Sequence, residues 1–453
     1  MTPLGRVLER TSTLPRSGAD GTARSPGRVL GRNRSGTRAW AAAGTRATAT
    51  AIRREWLACV FGVSALFAVV TALVSIYSPE RLWGLSAAAG YAAATVAAAV
   101  AGPRGARLAV LAGLAGALAA PLAWMAYTGA AQPEVGVIVR SAAMFARHGT
   151  PYASPAALAA AHAWQAYDPY LPALVAFGLP RALAGGVLTD PRIWFGAAFV
   201  VTFGAAVAVA RVPRPLWWTL LVTACPVVAL PLAVGGDDLP VLGLMCLGLA
   251  LAGREPWRRW QWPAAAGLAV GLAAAMKPTA WPAVGVVIVL LAARRGWRAV
   301  AWFALAALAV PLITDGPAVA AHPAAAMVNT VLYPLGLAKV TSPAASDLPG
   351  HILASSGAWG HWTALALMAA AVLGVGLSLL IRPPRDALAA GWRLATGLAL
   401  LFVLAPASRA GYFVYPLGLA AWLVACRWPA LPGELSVDPV PAHQPAVDPR
   451  GHD

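Results

Sequence analysis

The chain has 453 residues, of which 59% are hydrophobic and 11% are charged, and its formal net charge at pH 7 is +17. Many apolar runs reach 15 to 22 residues, and about 20 such residues cross the hydrocarbon core of a bilayer. We therefore predict an all-α polytopic membrane protein. This class excludes a soluble nucleic-acid-binding protein as the explanation of the positive charge, so no nucleic acid is expected as a partner.

The two ends of the chain are polar. Residues 1–55 contain 11 Arg against three acidic side chains, and a segment this rich in Gly, Ser, Thr and Arg has too little apolar surface to form a core. We predict disordered cytoplasmic tails at residues 1–55 and 427–453, on either side of a transmembrane domain at 56–426. The four Cys lie in or beside apolar runs without metal-ligand spacing, so we expect them to pack as small hydrophobic side chains.

Between the tails, the apolar runs predict about twelve transmembrane helices. They lie at about residues 56–77, 83–102, 108–128, 193–211, 215–234, 239–254, 261–276, 279–293, 299–314, 362–381, 392–406 and 410–426. Lys and Arg favour the cytoplasmic side of a membrane protein. With residues 1–55 in the cytoplasm, 26 of the 34 Lys and Arg fall on that side and eight on the other. We expect a multi-pass protein of the cell membrane with both termini in the cytoplasm.

The segment at residues 170–185 is apolar enough to resemble a further span. If it crossed the membrane, every later basic loop would face outward, so we interpret it as a hairpin or re-entrant segment. This interpretation places two long loops on the outer side, at residues 129–192, which include the segment at 170–185, and at residues 315–361. Short outer turns connect later spans. These connections hold many of the remaining ionisable residues, and such groups at membrane depth indicate a functional site.

The first outer loop begins with EVGVIVRSAAMFARHGTPY, residues 134–152. At 100° per residue, Arg140 and Arg147 lie together, opposite an apolar face formed by Val135, Ile138, Val139, Ala142, Phe145 and Ala146. The pattern predicts an amphipathic helix in the plane of the membrane interface, whose cationic face meets lipid headgroups or a charged ligand. Glu134 either stabilises the N-terminus of this helix or faces a substrate that arrives from the bilayer.

Other ionisable residues stand at turns and where spans meet. Asp237 and Asp238 lie in VGGDDLP, Lys277 in AAAMKPTAW, and Asp168 in AYDPYLPAL. Each has a structural alternative, because Asp238 could cap the following helix, Lys277 could extend its ammonium group to the interface, and Asp168 could support a Pro-rich turn. The sequence contains no phosphate loop, dinucleotide fingerprint, zinc-protease motif or nucleophile elbow.

The order of these features resembles glycosyltransferase family 87. The matching elements are the acid Glu134, paired small residues at 142–143, HGTPY at 148–152 and YDPYLP at 167–172. The polar-then-leucine-rich span at 235–254 and the Lys-containing helix pair after it are also similar, and the likeness covers roughly residues 110–310. The family's acid is commonly Asp, and its late His-containing element appears here as APASRAGYFVYP (405–416), with Arg409 but no His.

The resemblance implies a GT-C-type enzyme that transfers a hexose, with mannose as the first choice, from a polyprenyl-phosphate donor to a lipid or cell-envelope glycan acceptor. It implies Glu134 as the base, with Asp168, Asp237 and Asp238 as further catalytic candidates. Candidates for binding the substrate or its phosphate are Arg140, Arg147, Tyr152, Tyr167, Lys277, His322, His351 and Arg409. Such fixed cations suit a leaving phosphate, so neither a metal ion nor a cofactor is expected. Membrane lipids are the remaining expected partners.

Two other classes stay open at this point. A transporter or lipid flippase predicts charges deep within several spans and internal repeats, whereas the charges here stand mainly at span ends on one side. A non-catalytic membrane protein predicts that Glu134 can be replaced without consequence.

Overall fold

The computed structural model describes residues 55–100, 102–255, 260–338 and 340–427. The predicted tails at 1–55 and 427–453 lie outside the described residues, apart from Glu55 and Arg427. The described part of the chain is mostly helical and contains no strand, with only one isolated bridge, between Ala345 and Ser408. The prediction of an all-α protein is confirmed.

The α-helices vary in length from five to 24 residues. In chain order they are α1 (Glu55–Val74), α2 (Ser78–Val100), α3 (Gly105–Thr128), α4 (Pro133–His148), α5 (Pro155–Ala161), α6 (Leu179–Leu183), α7 (Pro191–Val209), α8 (Pro215–Ala224), α9 (Pro226–Val234), α10 (Leu239–Ala252), α11 (Gln261–Met276), α12 (Trp281–Arg295), α13 (Trp297–Thr314), α14 (Gly316–Ala321), α15 (Pro323–Met327), α16 (Pro349–Ser355), α17 (Ala358–Ile381), α18 (Ala387–Leu404) and α19 (Val414–Arg427). A π-helical stretch, Ala115–Ala119, lies within α3.

Each of the twelve predicted spans corresponds to helix in the described chain, but the count of twelve is not confirmed. Among the described residues, nine helices, two of them counted with a preceding 3-10 turn, are long and apolar enough to cross a membrane. A tenth span results if α8 and α9, which meet at an angle of 66°, are one broken span. The helices α10 and α11 have only 14 and 16 residues, less than the usual crossing length.

The short helix α10 lies at the centre of the bundle. All of its residues except Leu247 are buried, and it packs against α7 and α11. A helix that is apolar on every side belongs in such an interior position. Because protein rather than lipid surrounds α10, its length does not have to match the thickness of the bilayer.

Small residues allow α11 and α13 to approach closely. A Cβ atom at Gly267 would lie 2.3 Å from the carbonyl oxygen of Phe303, and one at Gly271 would lie 2.6 Å from that of Ala307. Membrane helices associate through such small residues, because water does not drive apolar surfaces together in lipid.

The segment at residues 170–185 does not cross the membrane. It forms a 3-10 helix, Pro172–Phe177, and the five-residue helix α6, both far too short to span a bilayer. Between α3 and α7 the chain also contains α4, α5 and 3-10 turns at Trp164–Ala166 and Val187–Thr189. Between α13 and α17 lie α14, α15, a π-helical turn at Val328–Leu332, and α16.

The predicted amphipathic helix is present as α4, but its buried face differs from the prediction. Val137 and Ser141 are buried with Ile138, whereas Ala146 is exposed. The reason is that α6 and the 3-10 helix pack on α4, so that it is covered on a wider sector than a helix lying on a membrane surface. At the closest point, a Cβ at Gly178 would lie 2.5 Å from the carbonyl oxygen of Ile138.

The basic connections meet at one end of the bundle. Arg254 donates a hydrogen bond to the carbonyl oxygen of Val209 at 3.3 Å, and Arg295 donates to the carbonyl oxygen of Arg254. The helices α10, α11 and α12 connect this end of the bundle with the other, where Asp238, Lys277 and Thr279 come together. The functional site described next lies at that second end.

Candidate functional site

A cavity of about 460 Å³ opens at the end of the bundle opposite the basic connections. Its walls are mainly apolar and aromatic, with a few charged side chains, a composition typical of small-molecule sites. Five of the residues predicted from the sequence line it, namely Glu134, Tyr167, Asp238, Lys277 and Arg409. Side chains from distant parts of the chain therefore converge on one cavity.

Lys277 lies at the centre of a buried charged cluster. The helix α11 ends at Met276 because Lys277 takes an extended backbone conformation, φ −146° and ψ 141°, as residues before proline do. Its Nζ lies 3.0 Å from Oδ1 of Asp237 and 2.5 Å from Oδ1 of Asp238. Burial lowers the pKa of Lys277, but the two carboxylates outweigh burial and raise it above its usual value, so that the ammonium group stays charged.

Two tyrosines complete this cluster. The Tyr415 hydroxyl donates a hydrogen bond to Oδ1 of Asp238 at 2.8 Å and accepts one from Thr279 at 3.2 Å. The Lys277 ammonium lies 4.6 Å from the centre of the Tyr170 ring, within the range of a cation–π interaction. Asp237 lies behind Lys277 and does not line the cavity, whereas Asp238 and Lys277 do.

A second ion pair, between Glu134 and Arg409, lies on the wall of the same cavity. Glu134 is the second residue of α4, whose first turn begins with Pro133, so its carboxylate also suits the positive end of the helix dipole. Arg409 lies just before the 3-10 turn Ala410–Phe413 that leads into α19. Within the pair, Oε2 of Glu134 and Nε of Arg409 are buried and have no hydrogen-bond partner.

An aromatic wall faces these charges. The rings of Tyr167 and Tyr333 are stacked with their centres 4.6 Å apart at an angle of 18°, and both line the cavity together with Trp164. Tyr167 comes from the first long loop and Tyr333 from the second. The stack therefore joins the two loops at the cavity wall.

Asp168 does not face the cavity. Its side chain accepts a hydrogen bond from the backbone N–H of Tyr170 at 2.9 Å, and its own N–H donates to Oδ1 of Asn329 at 2.8 Å. Burial raises the pKa of Asp168 to about 6, although the Tyr170 N–H and the nearby Arg140 act in the opposite direction. This geometry is that of a turn-supporting carboxylate, the structural alternative recognised from the sequence, and not that of a base facing a substrate.

The other predicted binding residues lie outside the cavity lining. Arg147 and His322 are exposed. Tyr152 is buried and donates from its hydroxyl to the carbonyl oxygen of Tyr170 at 2.9 Å. Arg140 and Arg147 lie on one stripe of α4, but only Arg147 is exposed, because Arg140 is half-buried and donates to the carbonyl oxygen of Tyr167 at 3.5 Å.

His351 also lies away from the cavity. Its Nδ1 is 3.0 Å from the carbonyl oxygen of Pro406, so this histidine connects α16 to the segment that carries Arg409. It supports the wall of the site without lining it.

Asn329 is a structural residue that the sequence reasoning missed. It is fully buried, and its Nδ2 donates to the carbonyl oxygens of Ala325 at 2.9 Å and Ala153 at 3.3 Å, while its Oδ1 accepts from Asp168. One side chain thus joins the second long loop to the first. The sequence feature that could have indicated this role is a single Asn within the apolar run AAAMVNTVLYP.

No metal centre is evident in the described part of the chain, where no group of three or more His, Cys, Asp or Glu side chains could hold an ion. The polar groups of the cavity are two carboxylates and two cations, with hydroxyl groups around them. This set can bind an anionic ligand through its cations and accept a proton through its carboxylates.

A model of the family described as Glycosyltransferase family 87 matches residues 167–406, slightly more than half of the chain. The matched region contains Asp238, Lys277 and the Tyr167–Tyr333 stack, while Glu134 lies 33 residues before it and Arg409 three residues after it. No curated protein and no solved structure matches the chain.

Proposed function

Since the chain belongs to glycosyltransferase family 87 and is a multi-pass membrane glycosyltransferase, we propose that it transfers a hexose from a polyprenyl-phosphate donor. Mannose is the first candidate for the sugar, and a lipid or cell-envelope glycan is the acceptor. We further propose a GT-C-type architecture in the cell membrane, with the basic end of the bundle and both termini in the cytoplasm. This orientation follows the usual distribution of Lys and Arg and leaves the cavity on the outer face.

The observation that carries the proposal is the convergence of Glu134, Asp238, Lys277 and Arg409 on one cavity. These residues come from four different helix ends, up to 275 positions apart in sequence. A volume of about 460 Å³ lies within the range of sites for small molecules. Both kinds of group that a sugar transfer requires, a proton acceptor and cations for a phosphate, are therefore within one space.

In the proposed reaction, a carboxylate oxygen of Glu134 takes the proton of the acceptor hydroxyl group. The acceptor oxygen attacks the anomeric carbon and forms the new glycosidic bond, while the bond from that carbon to the phosphate oxygen breaks. The electron pair leaves with the lipid phosphate, which gains a second negative charge. Lys277 and Arg409 stabilise this charge, and a single displacement inverts the anomeric centre. Asp238 is the second candidate for the base.

The apolar part of the cavity supports a lipid-linked donor. Met368 of α17 and both Leu401 and Phe402 of α18 line it. Only 11% of the membrane-spanning window of α17 is buried, so this helix offers a broad apolar surface to surrounding lipid. A polyprenyl chain in the bilayer could therefore lie against α17 with its phosphate in the cavity.

The proposal is tested by reconstituting the full chain in liposomes with radiolabelled polyprenyl-phosphate mannose and a panel of lipid and glycan acceptors. We expect transfer by the wild type and by Arg147→Ala, whose side chain is exposed away from the cavity, and loss of transfer in Glu134→Gln. Transfer from a nucleotide sugar instead would refute the donor assignment. Unchanged transfer in Glu134→Gln would refute the base, and no transfer with any lipid donor would favour a transporter or flippase.

A further inference from the structure

Both cations that line the cavity are already paired with carboxylates. Lys277 contacts Asp237 and Asp238, and Arg409 contacts Glu134. An anionic donor therefore finds no unpaired cation on this wall, and its phosphate has to replace a carboxylate at one of the two. The ion pair that separates determines which cation binds the phosphate of the donor.

The Glu134–Arg409 pair is the more accessible one. Glu134 and Arg409 are 17% and 22% exposed, whereas Lys277 is 6% exposed and its two carboxylate partners, Asp237 and Asp238, are 5% and 14% exposed. Lys277 is also held by two carboxylates at once, and replacing both would cost more than replacing one. Exposed ion pairs contribute less to stability than buried ones, because water can stand in for either member.

The pair is also incompletely hydrogen-bonded. It is joined through Nη1 of Arg409 and Oε1 of Glu134, while Nε of the same guanidinium and Oε2 of the same carboxylate are buried without a partner. A buried polar atom without a partner is destabilising, so each of these two atoms gains from a ligand atom that reaches it. A guanidinium binds phosphate best through two parallel N–H groups, and a carboxylate oxygen accepts from a hydroxyl group.

We propose that the phosphate of the donor replaces Glu134 at Arg409, and that this exchange releases Glu134 to accept the proton of the acceptor hydroxyl. The inference rests on the proposed function, since it assigns an order of events to the same site. The charge balance is kept, because the single negative charge of the phosphodiester takes the place of the carboxylate beside the guanidinium. The donor therefore binds first, and the base becomes available only when the donor is present.

The exchange also accounts for the return to the starting state. Departure of the lipid phosphate leaves Arg409 without an anion, and Glu134 pairs with it again once it has lost its proton. In the absence of the donor, Arg409 donates a hydrogen bond to Oε1 of Glu134. An acceptor that binds alone therefore finds the carboxylate of Glu134 paired and unable to accept its proton.

The test measures binding of polyprenyl phosphate, the product lipid, to the full chain in nanodiscs. The variants are Glu134→Gln, Arg409→Gln and the double variant, which together form a double-mutant cycle. We expect Glu134→Gln to bind polyprenyl phosphate about tenfold more tightly than the wild type, a difference of about 1.4 kcal/mol, because the competing carboxylate is gone. Arg409→Gln should bind it more weakly, and adding Glu134→Gln to that variant should change nothing.

Asp238→Asn is the matched control, because it removes a carboxylate from the same cavity without touching Arg409. Asp238→Asn should change the affinity for polyprenyl phosphate by the same factor in the wild type and in Arg409→Gln, because Asp238 acts on the phosphate only through its charge and does not pair with Arg409. Arg409→Met, which also removes the charge, takes the place of Arg409→Gln in the cycle if that variant fails to fold.

The possible failures are distinguishable. Unchanged or weaker binding in Glu134→Gln, or a tenfold gain that persists without Arg409, overturns the exchange while leaving the proposed function intact. A wild-type protein that binds no polyprenyl phosphate and transfers no sugar from a polyprenyl-phosphate donor overturns both.

Discussion

Replacement of Lys277 by Met is the sharpest test of the buried cluster. Met has a similar length but no charge, so Lys277→Met leaves Asp237 and Asp238 facing each other without their shared cation. Their Oδ1 atoms lie 3.0 and 2.5 Å from the same nitrogen, so they are no farther apart than the sum of these distances, about 5.5 Å. At an effective dielectric constant of about 20, two unit charges at this separation repel by about 3 kcal/mol.

The expected loss of stability is therefore about 3–5 kcal/mol, the range found when one member of a buried ion pair is removed. Thermal unfolding of the purified protein in detergent, followed by tryptophan fluorescence, measures the change. The double variant Lys277→Met, Asp237→Asn restores the net charge of the cluster to −1, so it should recover most of the lost stability but no sugar transfer. If Lys277→Met unfolds at the wild-type temperature, the two carboxylates do not repel as the geometry requires and the reasoning is refuted.

Four further predictions concern single features of the site. Burial raises the pKa of Asp168 to about 6, so the folded state binds a proton more tightly than the unfolded state and the free energy of unfolding falls as pH rises from about 4 to about 6. Asp168→Asn should therefore stabilise the protein at pH 7 by up to about 3 kcal/mol and have little effect near pH 4. An equal change in the free energy of unfolding at both pH values would show that the raised pKa of Asp168 is not responsible. Tyr333→Ala should raise the KM for the donor about three- to tenfold, in line with about 0.5–1.5 kcal/mol for an aromatic pair, while Tyr333→Phe, which keeps the ring, should not. Arg147→Ala and His322→Ala should transfer sugar at the wild-type rate, since both side chains are exposed outside the cavity lining, and a large loss in either would show that the binding site extends beyond it. Transfer should also continue in EDTA, because fixed cations and not a divalent ion stabilise the phosphate in the proposed reaction, and sensitivity to EDTA would require a metal ion.

Hydropathy and charge along the chain were enough to predict the class of the protein and most of its helices. A run of about 20 apolar residues has one favourable structure in lipid, because every backbone N–H and C=O must be paired within the helix. The same reasoning predicted that the segment at 170–185 does not form a full span, and its helices are indeed too short to cross a bilayer. The number of twelve full spans is not confirmed, because α10 is shorter than a bilayer and lies surrounded by protein.

The sequence also indicated four residues of the site, Glu134, Asp238, Lys277 and Arg409. Ionisable side chains at membrane depth are energetically costly, so their presence there indicates a functional site. The sequence could not show that Glu134 would meet Arg409, 275 residues away. Such a pairing depends on how the helix ends pack together, and local periodicity contains no information on that packing.

Tertiary structure alone separated residues that look alike in the sequence. Asp168 and Asp238 are both acids within two residues of a proline. Asp168 is enclosed by the backbone of Tyr170 and the amide of Asn329, whereas Asp238 lines the cavity. Arg140 and Arg147 share a helical stripe, but the covering 3-10 helix and α6 bury one more than the other. The sequence by itself determined which residues carry charge in an apolar chain. Only the packing of distant segments decided which of those charges face a common space, because burial and distance arise from contacts between residues far apart in the chain.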